Sequence, residues 1–241
     1  MRRFYAKSIK ASGDTVILSG DEARHIKTVL RMRPGEEVLL INGSGTEYLS
    51  IITGISGDTV ELIITGRRRS TADPSVHVTL FQCLPKQGKM ETIIQKCVEL
   101  GVYSVVPTSS ERCVVKLDGN VEEKLARWNK VSVEAAKQCG RASFPEIAAP
   151  VELSSIDFSE YDLILTAYEN EKDRTLKRVL KEKNYVQNIA IVIGPEGGFD
   201  PKEVDALKEK GAVMISLGRR ILRTETAGMA MLAQILYELE Q

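Results

Sequence analysis

Apolar and polar positions follow two different patterns along this chain. In the N-terminal third, short β-branched segments (EVLLING, TEYLSIITGI and DTVELIITG) are separated by Gly, Asn, Ser or Asp, which is typical of a strand meander or a small barrel. Beyond a polar stretch at residues 66–75, short apolar runs alternate with helical patterns, which favours a mostly parallel sheet covered by helices. The pattern therefore predicts an α/β protein made of two differently built parts.

One helix is predicted within the N-terminal third, over GDEARHIKTVLRMRPG. Its stripe at helical spacing consists of Ile26, Val29, Leu30 and Arg33, and a Pro-Gly pair ends it. The segment GRRRSTADPS, residues 66–75, is polar and rich in helix and strand breakers, so we interpret it as a linker. These boundaries predict one domain over residues 1–70 and a second over residues 75–241.

The second part is predicted to alternate between strands and helices. The predicted strands are VHVTLFQCL, VYSVVPT, YDLILTA, NIAIVIG and AVMISLG. The predicted helices are GKMETIIQKCVELG, VEEKLARWNKVSVEAAKQCG, EKDRTLKRVLKEK, PKEVDALKEKG and TAGMAMLAQILYELE. The last of these is apolar on nearly every side, and such a helix must be covered on both sides, by the sheet and by a second helix or subunit. We favour a dimer interface over a purely intrachain cover.

Composition and charge narrow the function classes. The 241 residues include 33 Lys and Arg against 33 Asp and Glu, an ordinary balance for a soluble globular protein. Residues 1–70 hold 11 basic against 8 acidic residues, so the N-terminal part is basic, as expected of a solvated face or of a phosphate-contacting surface. No apolar stretch approaches the roughly 20 residues that a membrane-spanning helix needs, and the N-terminus has no apolar signal-peptide core. We therefore expect a cytoplasmic protein.

Cysteine and histidine content argues against metal and triad chemistry. The cysteines, at positions 83, 97, 113 and 139, form no CxxC pair, so reduced and partly buried thiols are the expectation. The two histidines, His25 and His77, lie far apart in the sequence. A zinc site or a His-based triad is therefore not expected, and no metal is predicted.

The segment AIVIGPEGGFDPKEV has the form of a ligand-binding turn. A buried strand runs into Gly194-Pro195-Glu196-Gly197-Gly198, and Asp200, Pro201 and Glu203 then predict a capped helix. The chain has neither GxxxxGK[ST] nor an early GxGxxG, and the carboxylate of Glu196 would repel a pyrophosphate. S-adenosylmethionine fits better because it has no phosphate and its sulfonium is positive. A tight turn without a ligand is the structural alternative.

Three predicted strand ends should converge if the sheet is parallel: LILTAYEN, IVIGPEGG and ISLGRRILRTETA. The third places Arg219, Arg220 and Arg223 within five residues. They either cap the helix or pair with Glu225, or they contact an anionic polymer beside the ligand. From the residues alone, the two interpretations are about equally favoured.

GPEGGF followed by LGRRILRTETA resembles the ribosomal RNA small-subunit methyltransferase E family, whose members methylate N3 of a uridine in small-subunit ribosomal RNA. The resemblance spans nearly the whole chain, including RRFY, DEARHIKTVLRMRPGEEV, KMETIIQKCVELGVYSVVPTSSERCV and EAAKQCGRASFPEI. Relatives often carry a second histidine where this chain has Arg24, so a role for paired histidines does not carry over. The resemblance implies an N-terminal PUA-like RNA-binding β-barrel, a C-terminal SPOUT α/β domain with a trefoil knot, S-adenosyl-L-methionine as cofactor, and a homodimer.

The resemblance also implies the site residues. The methyl donor would lie among Thr166, Ala167, Gly194, Pro195, Glu196, Gly197, Gly198, Ser216, Leu217, Gly218, Ile221, Leu222, Thr224 and Thr226. Arg223 is the first candidate to stabilise the uridine anion, with Arg141 next, while Glu196 and Glu225 are candidate bases or positioning groups. Phosphate contacts are expected from Arg2, Arg3, Arg24, Arg31, Arg33, Arg219 and Arg220.

Three alternatives remain at this point. A related methyltransferase could act on another RNA nucleotide or on a ribose 2′-hydroxyl. A non-catalytic RNA-binding assembly factor with the same fold would bind RNA but not S-adenosylmethionine. A small-molecule oxidoreductase or nucleotide enzyme would need a phosphate-binding loop, which the sequence lacks.

Overall fold

A computed structural model of the chain describes residues 1–9, 13–86, 88–115, 120–183 and 185–240. The chain divides into two compact units. The first consists of Met1–Asp73 with Ala136–Phe144, and the second of Pro74–Ala135 with Pro145–Gln241.

The first unit is built on a five-stranded sheet with the order β1-β3-β4-β5-β2. The strands are β1 (Arg2–Tyr5), β2 (Thr15–Ser19), β3 (Glu37–Ile41), β4 (Thr46–Ser56) and β5 (Thr59–Arg69). β1 pairs with β3 in parallel, and the other neighbours are antiparallel. Alternate residues of β5, namely Val60, Leu62 and Ile64, point into the core, as period-two alternation requires.

The helix predicted over residues 20–35 is shorter and less regular than its sequence suggested. α1 (Gly20–Arg24) continues into a π-helical turn, His25–Val29, and helical structure stops there. The wider turn changes the phase of the helix, so Ile26 is fully buried while Val29 is 66% exposed. Arg31 follows with a φ of 52°, a left-handed conformation that is uncommon for residues other than glycine.

The predicted linker also begins later than its composition indicated. Arg67, Arg68 and Arg69 belong to β5, where they pair with residues 46–48 of β4. Their charges are compatible with a strand because Arg68 finds a carboxylate across the ladder, on Glu47, and the other side chains of this strand end are mostly exposed.

The second unit contains a seven-stranded sheet with the order β12-β10-β11-β6-β7-β8, and β9 also pairs with β7. The strands are β6 (His77–Cys83), β7 (Ser104–Ser109), β8 (Glu146–Ile147), β9 (Val151–Glu152), β10 (Leu163–Ala167), β11 (Asn188–Ile193) and β12 (Val213–Ile215). Every pairing described for this sheet is parallel, which confirms the predicted mostly parallel sheet. β8 and β9 have two residues each and were not predicted.

The described residues also contain a short 3-10 helix, Leu153–Ser155, and five further α-helices: α2 (Lys89–Glu99), α3 (Val121–Cys139), α4 (Leu176–Lys181), α5 (Pro201–Glu209) and α6 (Thr224–Leu239). α4 begins later than predicted because residues 171–174 form a turn instead. In that turn, Glu171 Oε1 accepts hydrogen bonds from the amides of Asp173 and Arg174.

The apolar helix α6 packs against α2, α4 and the strands β6 and β11 of its own chain. Its buried residues are Ala227, Gly228, Met231, Leu232, Ile235 and Leu236. Tyr237 remains 87% exposed, and Met229, Ala230 and Ala233 are only partly buried. Much of the helix is therefore covered within the chain, and the dimer stays a prediction.

Candidate functional site

A pocket of about 520 Å³ lies at the carboxyl edge of the parallel sheet in the second unit. The neighbouring strands β12, β10 and β11 end at this edge, and the loops that follow them form its walls. Open parallel sheets usually bind ligands at this edge. The convergence predicted for the three strand ends is therefore present in the fold.

Most of the residues predicted to hold a cofactor line this pocket. They are Ala167, Gly194, Pro195, Glu196, Gly197, Gly198, Ser216, Leu217, Gly218, Ile221, Leu222 and Thr224, with Arg219, Arg220 and Arg223 beside them. Thr166 and Thr226 are not among the lining residues: Thr166 is buried in β10, and Thr226 is exposed in the first turn of α6. The Thr166 hydroxyl has no hydrogen-bond partner within the described residues. Lys89, Tyr168, Glu169, Ile193, Phe199 and Ala227 also line the pocket and were not predicted.

Two glycines of the turn after β11 lie where a side chain is disfavoured, Gly198 by its backbone conformation and Gly194 by a close neighbour. Gly198 has a φ of 67°, and a Cβ there would lie 2.7 Å from Glu169 Oε1. A Cβ on Gly194 would lie 3.0 Å from the ring of Phe199. The turn then ends in the predicted capping box, because Asp200 accepts from the Lys202 amide and Glu203 accepts from the Asp200 amide.

A buried hydroxyl joins this turn to the start of α6. Thr224 Oγ1 donates to the Gly194 carbonyl at 2.7 Å and accepts from Gln82 Nε2 at 2.9 Å. Thr224 is the first residue of α6, and Gln82 lies in β6. Because a buried polar group loses free energy when it is left unpaired, this chain of bonds fixes two walls of the pocket to the core of the sheet.

Lys89 is a pocket residue that the sequence did not reveal. Its ammonium Nζ lies 3.1 Å from Glu196 Oε1 and 3.1 Å from Glu225 Oε2. These partners are 107 and 136 residues away along the chain, so no local motif connects them. The predicted pairing of Glu225 with the loop arginines is thus not the main contact, since Glu225 bonds to Lys89 instead.

Both carboxylates that bond to Lys89 favour the ionised form. Burial raises the pKa of Glu196, but hydrogen bonds from its own amide, the Lys86 amide and Lys89 outweigh burial, so the pKa lies below its ordinary value. Burial also raises the pKa of Glu225. The hydrogen bond from its own amide and the contact with Lys89 outweigh burial, so this pKa too lies below its ordinary value. The bond to Glu196, followed by that to Glu225, raises the pKa of Lys89.

The loop arginines present unbonded guanidinium groups. Arg219, Arg220 and Arg223 are exposed at the pocket, and none of their side chains makes a hydrogen bond or ion pair within the described residues. The charge of Arg223 contributes to the lowered pKa of Glu225, although the two side chains do not bond to each other. An exposed cation that no carboxylate neutralises is available to an anionic ligand.

Arg141 has a different environment. It belongs to the first unit and is 4% exposed, and its Nε donates to Asp73 Oδ1 at 3.0 Å. Arg141 also bonds to the hydroxyl of Ser143, which bonds to the same carboxylate. Burial raises the pKa of Asp73, but the bonds from Ser143 and Arg141 lower it further than burial raises it. These contacts favour Arg223 over Arg141 as the arginine that meets a ligand.

The other predicted RNA-binding residues lie in the first unit. Arg2, Arg3, Arg24, Arg31 and Arg33 are all exposed. Arg3 differs from the others because its guanidinium forms a 2.9 Å ion pair with Glu47, whose side chain is 3% exposed.

A cysteine-containing loop contacts the outside of the glycine turn. Arg112 Nη1 donates to the Gly197 carbonyl at 3.2 Å, and Arg112 Nη2 lies 3.3 Å from Asp200 Oδ2. The next residue, Cys113, is a half-buried free thiol. Its interaction with the Cys83 thiol lowers the pKa of Cys113, while the same interaction and burial raise the pKa of Cys83. Sequence spacing gave no sign of this pair.

The described part of the chain offers neither a membrane span nor a metal cluster. No helix within it is long and apolar enough to cross a membrane. No group of three or more His, Cys, Asp or Glu side chains is arranged to hold a metal ion among the same residues.

Comparison with known proteins agrees with this geometry. Residues 72–236 match the family model of an RNA methyltransferase domain, and residues 18–65 match an RNA methyltransferase PUA domain. The ribosomal RNA small subunit methyltransferase E of Bacillus subtilis is 31% identical, covering 100% of this chain and 98% of that protein. The Neisseria gonorrhoeae enzyme of the same name, solved with S-adenosyl methionine, superimposes with a TM-score of 0.84 at 30% identity over 99% of this chain and 98% of that one.

A methyltransferase structure from Legionella pneumophila with bound SAM gives a TM-score of 0.82 at 31% identity, over 98% of this chain and 97% of that one. The parallel sheet, the pocket at its carboxyl edge and the matched domain define an RNA methyltransferase with a PUA domain. Within that class, the chain belongs to the ribosomal RNA small subunit methyltransferase E family.

Proposed function

We propose that this protein transfers a methyl group from S-adenosyl-L-methionine to N3 of a uridine in small-subunit ribosomal RNA. The observation that carries the proposal is the pocket at the ends of β10, β11 and β12, with the exposed guanidinium of Arg223 at its wall. Relatives of the same family have been solved with this methyl donor, which supports the donor's identity.

The pocket suits a donor that has a nucleoside and a positive sulfur but no phosphate. Its volume lies within the range of about 300–1,000 Å³ that is usual for small-molecule sites. The loops at residues 194–198 and 216–218 line the pocket, and the backbone groups in them that form no hydrogen bond within the chain would read an adenine. Gly198 and Gly218 have positive φ angles that permit a close approach. The carboxylates of Glu169 and Glu196 line the pocket and favour a cation.

The donor supplies a methyl group on a positively charged sulfur, which leaves this chain to hold and polarise the uridine. The N3 proton passes to solvent water. Loss of the proton gives the base a negative charge, which spreads over N3 and the two carbonyl oxygens. Arg223, with a guanidinium that no carboxylate of the described residues neutralises, stabilises this charge. A bond then forms between N3 and the methyl carbon as the carbon–sulfur bond breaks, and the electron pair of the broken bond stays on sulfur in the neutral product S-adenosylhomocysteine. N3 lies on the pairing edge, so the base must be unpaired or turned out of a helix.

We assign Glu196 to positioning rather than to proton removal. Its pKa lies below its ordinary value, and its Oε1 is occupied by Lys89 and by the Lys86 amide. A carboxylate that holds its charge this firmly is a weak base. Arg141 remains the second candidate for contact with the uridine, and its bond to Asp73 would have to open for that role.

The first unit supplies the RNA-binding surface in this proposal. Residues 1–70 form a PUA-like barrel, and residues 75–241 form a SPOUT domain with a trefoil knot that folds around the donor. Phosphates are bound by exposed arginines of the first unit and by two of the pocket loop: Arg2, Arg3, Arg24, Arg31, Arg33, Arg219 and Arg220. The protein acts in the cytoplasm as a homodimer, for which the partly exposed apolar residues of α6 provide contact surface.

The test is mass spectrometry of nucleosides from small-subunit ribosomal RNA of cells with and without the protein. We expect N3-methyluridine to disappear in its absence and to return with the wild-type protein. Incubation of purified protein and labelled S-adenosylmethionine with that RNA should restore the same product. Loss of a ribose-methylated nucleoside or of a different base would contradict the assignment to N3 but keep the methyltransferase class. Unchanged RNA would contradict both.

A further inference from the structure

Lys89 lines the pocket and bridges two carboxylates from different elements, that of Glu196, which also lines the pocket, and that of Glu225, which follows the lining residue Thr224. Lys89 is the first residue of α2, whereas Glu196 lies in the glycine turn and Glu225 in the first turn of α6. The three side chains are 30%, 26% and 22% exposed, respectively, so the bridge is partly shielded from water. A cation at a helix N-terminus is unfavourable because the helix dipole is positive there. Helix stability therefore does not explain this position of the lysine.

The cluster has a defined charge. Hydrogen bonds hold Lys89 protonated and both carboxylates ionised, as described above. Two negative charges and one positive charge leave a net charge of −1. Removing the lysine would leave two carboxylates facing each other with a net charge of −2.

We propose that Lys89 positions Glu196 and Glu225 and sets the charge by which the pocket distinguishes a sulfonium donor from its thioether product. This inference rests on the proposed function, in which the pocket binds S-adenosylmethionine. Transfer of the methyl group converts a positively charged sulfur into a neutral one, so donor and product differ by one charge at nearly constant shape. A more negative pocket prefers the donor, and a less negative pocket loses that preference.

The predicted effect is a change in the ratio of two dissociation constants, that of S-adenosylhomocysteine divided by that of S-adenosylmethionine. One unit charge at the wall of a partly shielded site changes the affinity for a cation by roughly threefold to tenfold. Lys89→Met should raise the ratio by about fivefold, and Glu196→Gln should lower it by about the same factor. The double variant regains a net charge of −1 and should return to near the wild-type ratio.

The experiment is isothermal titration calorimetry of both ligands at low and at high salt. Lys89→Arg keeps the charge and should keep the ratio within about twofold of the wild type. Lys96→Met is the matched control, because Lys96 lies on the same helix and pairs with Glu99 away from the pocket. The differences between variants should shrink at high salt. Thermal unfolding of each variant verifies that it is folded.

The possible outcomes separate the inference from the proposed function. Wild-type protein that binds neither ligand would overturn both. Wild-type protein that binds both ligands, with the same ratio in Lys89→Met and Glu196→Gln, would overturn the role of Lys89 and leave the proposed function intact. An equal loss of affinity for both ligands would mean that Lys89 only holds the walls together, which also contradicts the proposed charge selection. Opposite shifts that cancel in the double variant would support it.

Discussion

Two groups of arginine side chains, one from each unit, have opposite surroundings. In the first unit, Arg3 and Arg68 both bond to Glu47, and Arg141 bonds to Asp73. In the second unit, the arginines of the loop at residues 219–223 face the pocket with no bonded carboxylate among the described residues. Identical charges thus serve two purposes. A guanidinium that is bonded to a buried carboxylate stabilises the fold, whereas an unbonded one is left for a ligand.

The local sequence around an arginine does not determine whether its side chain bonds to a carboxylate. Arg2 and Arg3 are adjacent and exposed, and both are predicted to bind RNA. Of the two, Arg3 is the one that bonds to Glu47. The carboxylate that decides this lies 44 residues further along the chain. Substitutions of arginines that bond to no carboxylate, and of the carboxylate that bonds to Arg3 and Arg68, test whether the two kinds of arginine differ in this way.

The largest expected effect is that of Arg223→Ala on methyl transfer. Removing one group that stabilises developing negative charge typically lowers kcat by about 10²–10³-fold. Single-turnover assays at saturating RNA should show a loss of this size, while the affinity for S-adenosylmethionine stays within about threefold. Arg178→Ala, on the exposed surface of α4, is the control and should retain full activity. Undiminished turnover of Arg223→Ala would remove this residue from the mechanism.

The second effect concerns stability. Glu47→Ala should lower the free energy of unfolding by about 2–3 kcal/mol, because a buried carboxylate is lost and two guanidinium groups are left facing each other. Urea unfolding measures this. Glu61→Ala, on an exposed position of β5, should change the value by less than about 0.5 kcal/mol. Equal effects of the two substitutions would contradict the structural role of the Glu47 cluster.

The Glu47 cluster also predicts a pH dependence. Burial raises the pKa of Glu47, but the bonds from Arg68 and Arg3 outweigh it, so the folded pKa lies below the unfolded value of about 4.3. The stabilisation is fully present above that value and disappears as the pH falls through the folded pKa. The stability difference between wild type and Glu47→Gln should therefore be largest near pH 7 and shrink towards pH 3. A constant difference would mean that Glu47 is not ionised in the folded state.

A third effect is expected on RNA binding. Reversing the charges of Arg31 and Arg33 to Glu should weaken binding by about tenfold or more near physiological salt. The slope of log K against log salt should fall by about 0.9 for each phosphate that the variant no longer neutralises. Fluorescence anisotropy at several salt concentrations measures both quantities. An unchanged slope would mean that these arginines form a solvated face.

The smallest expected effect is that of Arg31→Gly. This substitution tests whether the strained backbone of Arg31 is retained because its side chain binds RNA. Left-handed backbone conformation costs a non-glycine residue roughly 1–2 kcal/mol, and glycine recovers part of this at a cost in unfolded-state entropy. Arg31→Gly should therefore stabilise the protein by about 0.5 kcal/mol while weakening RNA binding. Arg33→Gly is the matched control and should give no stabilisation. A destabilised Arg31→Gly variant would contradict this account.

Local signals predicted the parts of the fold that local chemistry determines. The apolar runs of β6, β10 and β11 and the capping box at Asp200 are visible in a few consecutive residues, and all were predicted correctly. The predicted helical stripe that included Val29 was wrong, because a π-helical turn shifts the phase of the helix. No residue pattern in the sequence indicates such a turn. Arg67 was placed in a linker because its composition is polar, although the ladder to Tyr48 decides its conformation.

The parts of the candidate site that directly follow a strand were predicted from the sequence. The turn at residues 194–198 and the loop at residues 216–223 were both found, because glycine and arginine clusters mark them. Lys89 and Gln82 were missed because they reach the site only through tertiary packing, and a lysine or a glutamine is ordinary in its local context. The residues of the turn favoured S-adenosylmethionine over a phosphate ligand, and the family resemblance supplied the RNA substrate.

The lowered pKa of the Cys113 thiol has a practical consequence. Cys83 and Cys97 are buried with raised pKa values, so of these three thiols Cys113 forms the reactive thiolate most readily at neutral pH. A maleimide dye should therefore label it first in the native protein. Because Arg112 beside it bonds to the Gly197 carbonyl, such a dye would report movements of the glycine turn by fluorescence. The wild-type chain thus carries its own attachment point for an optical probe of ligand entry.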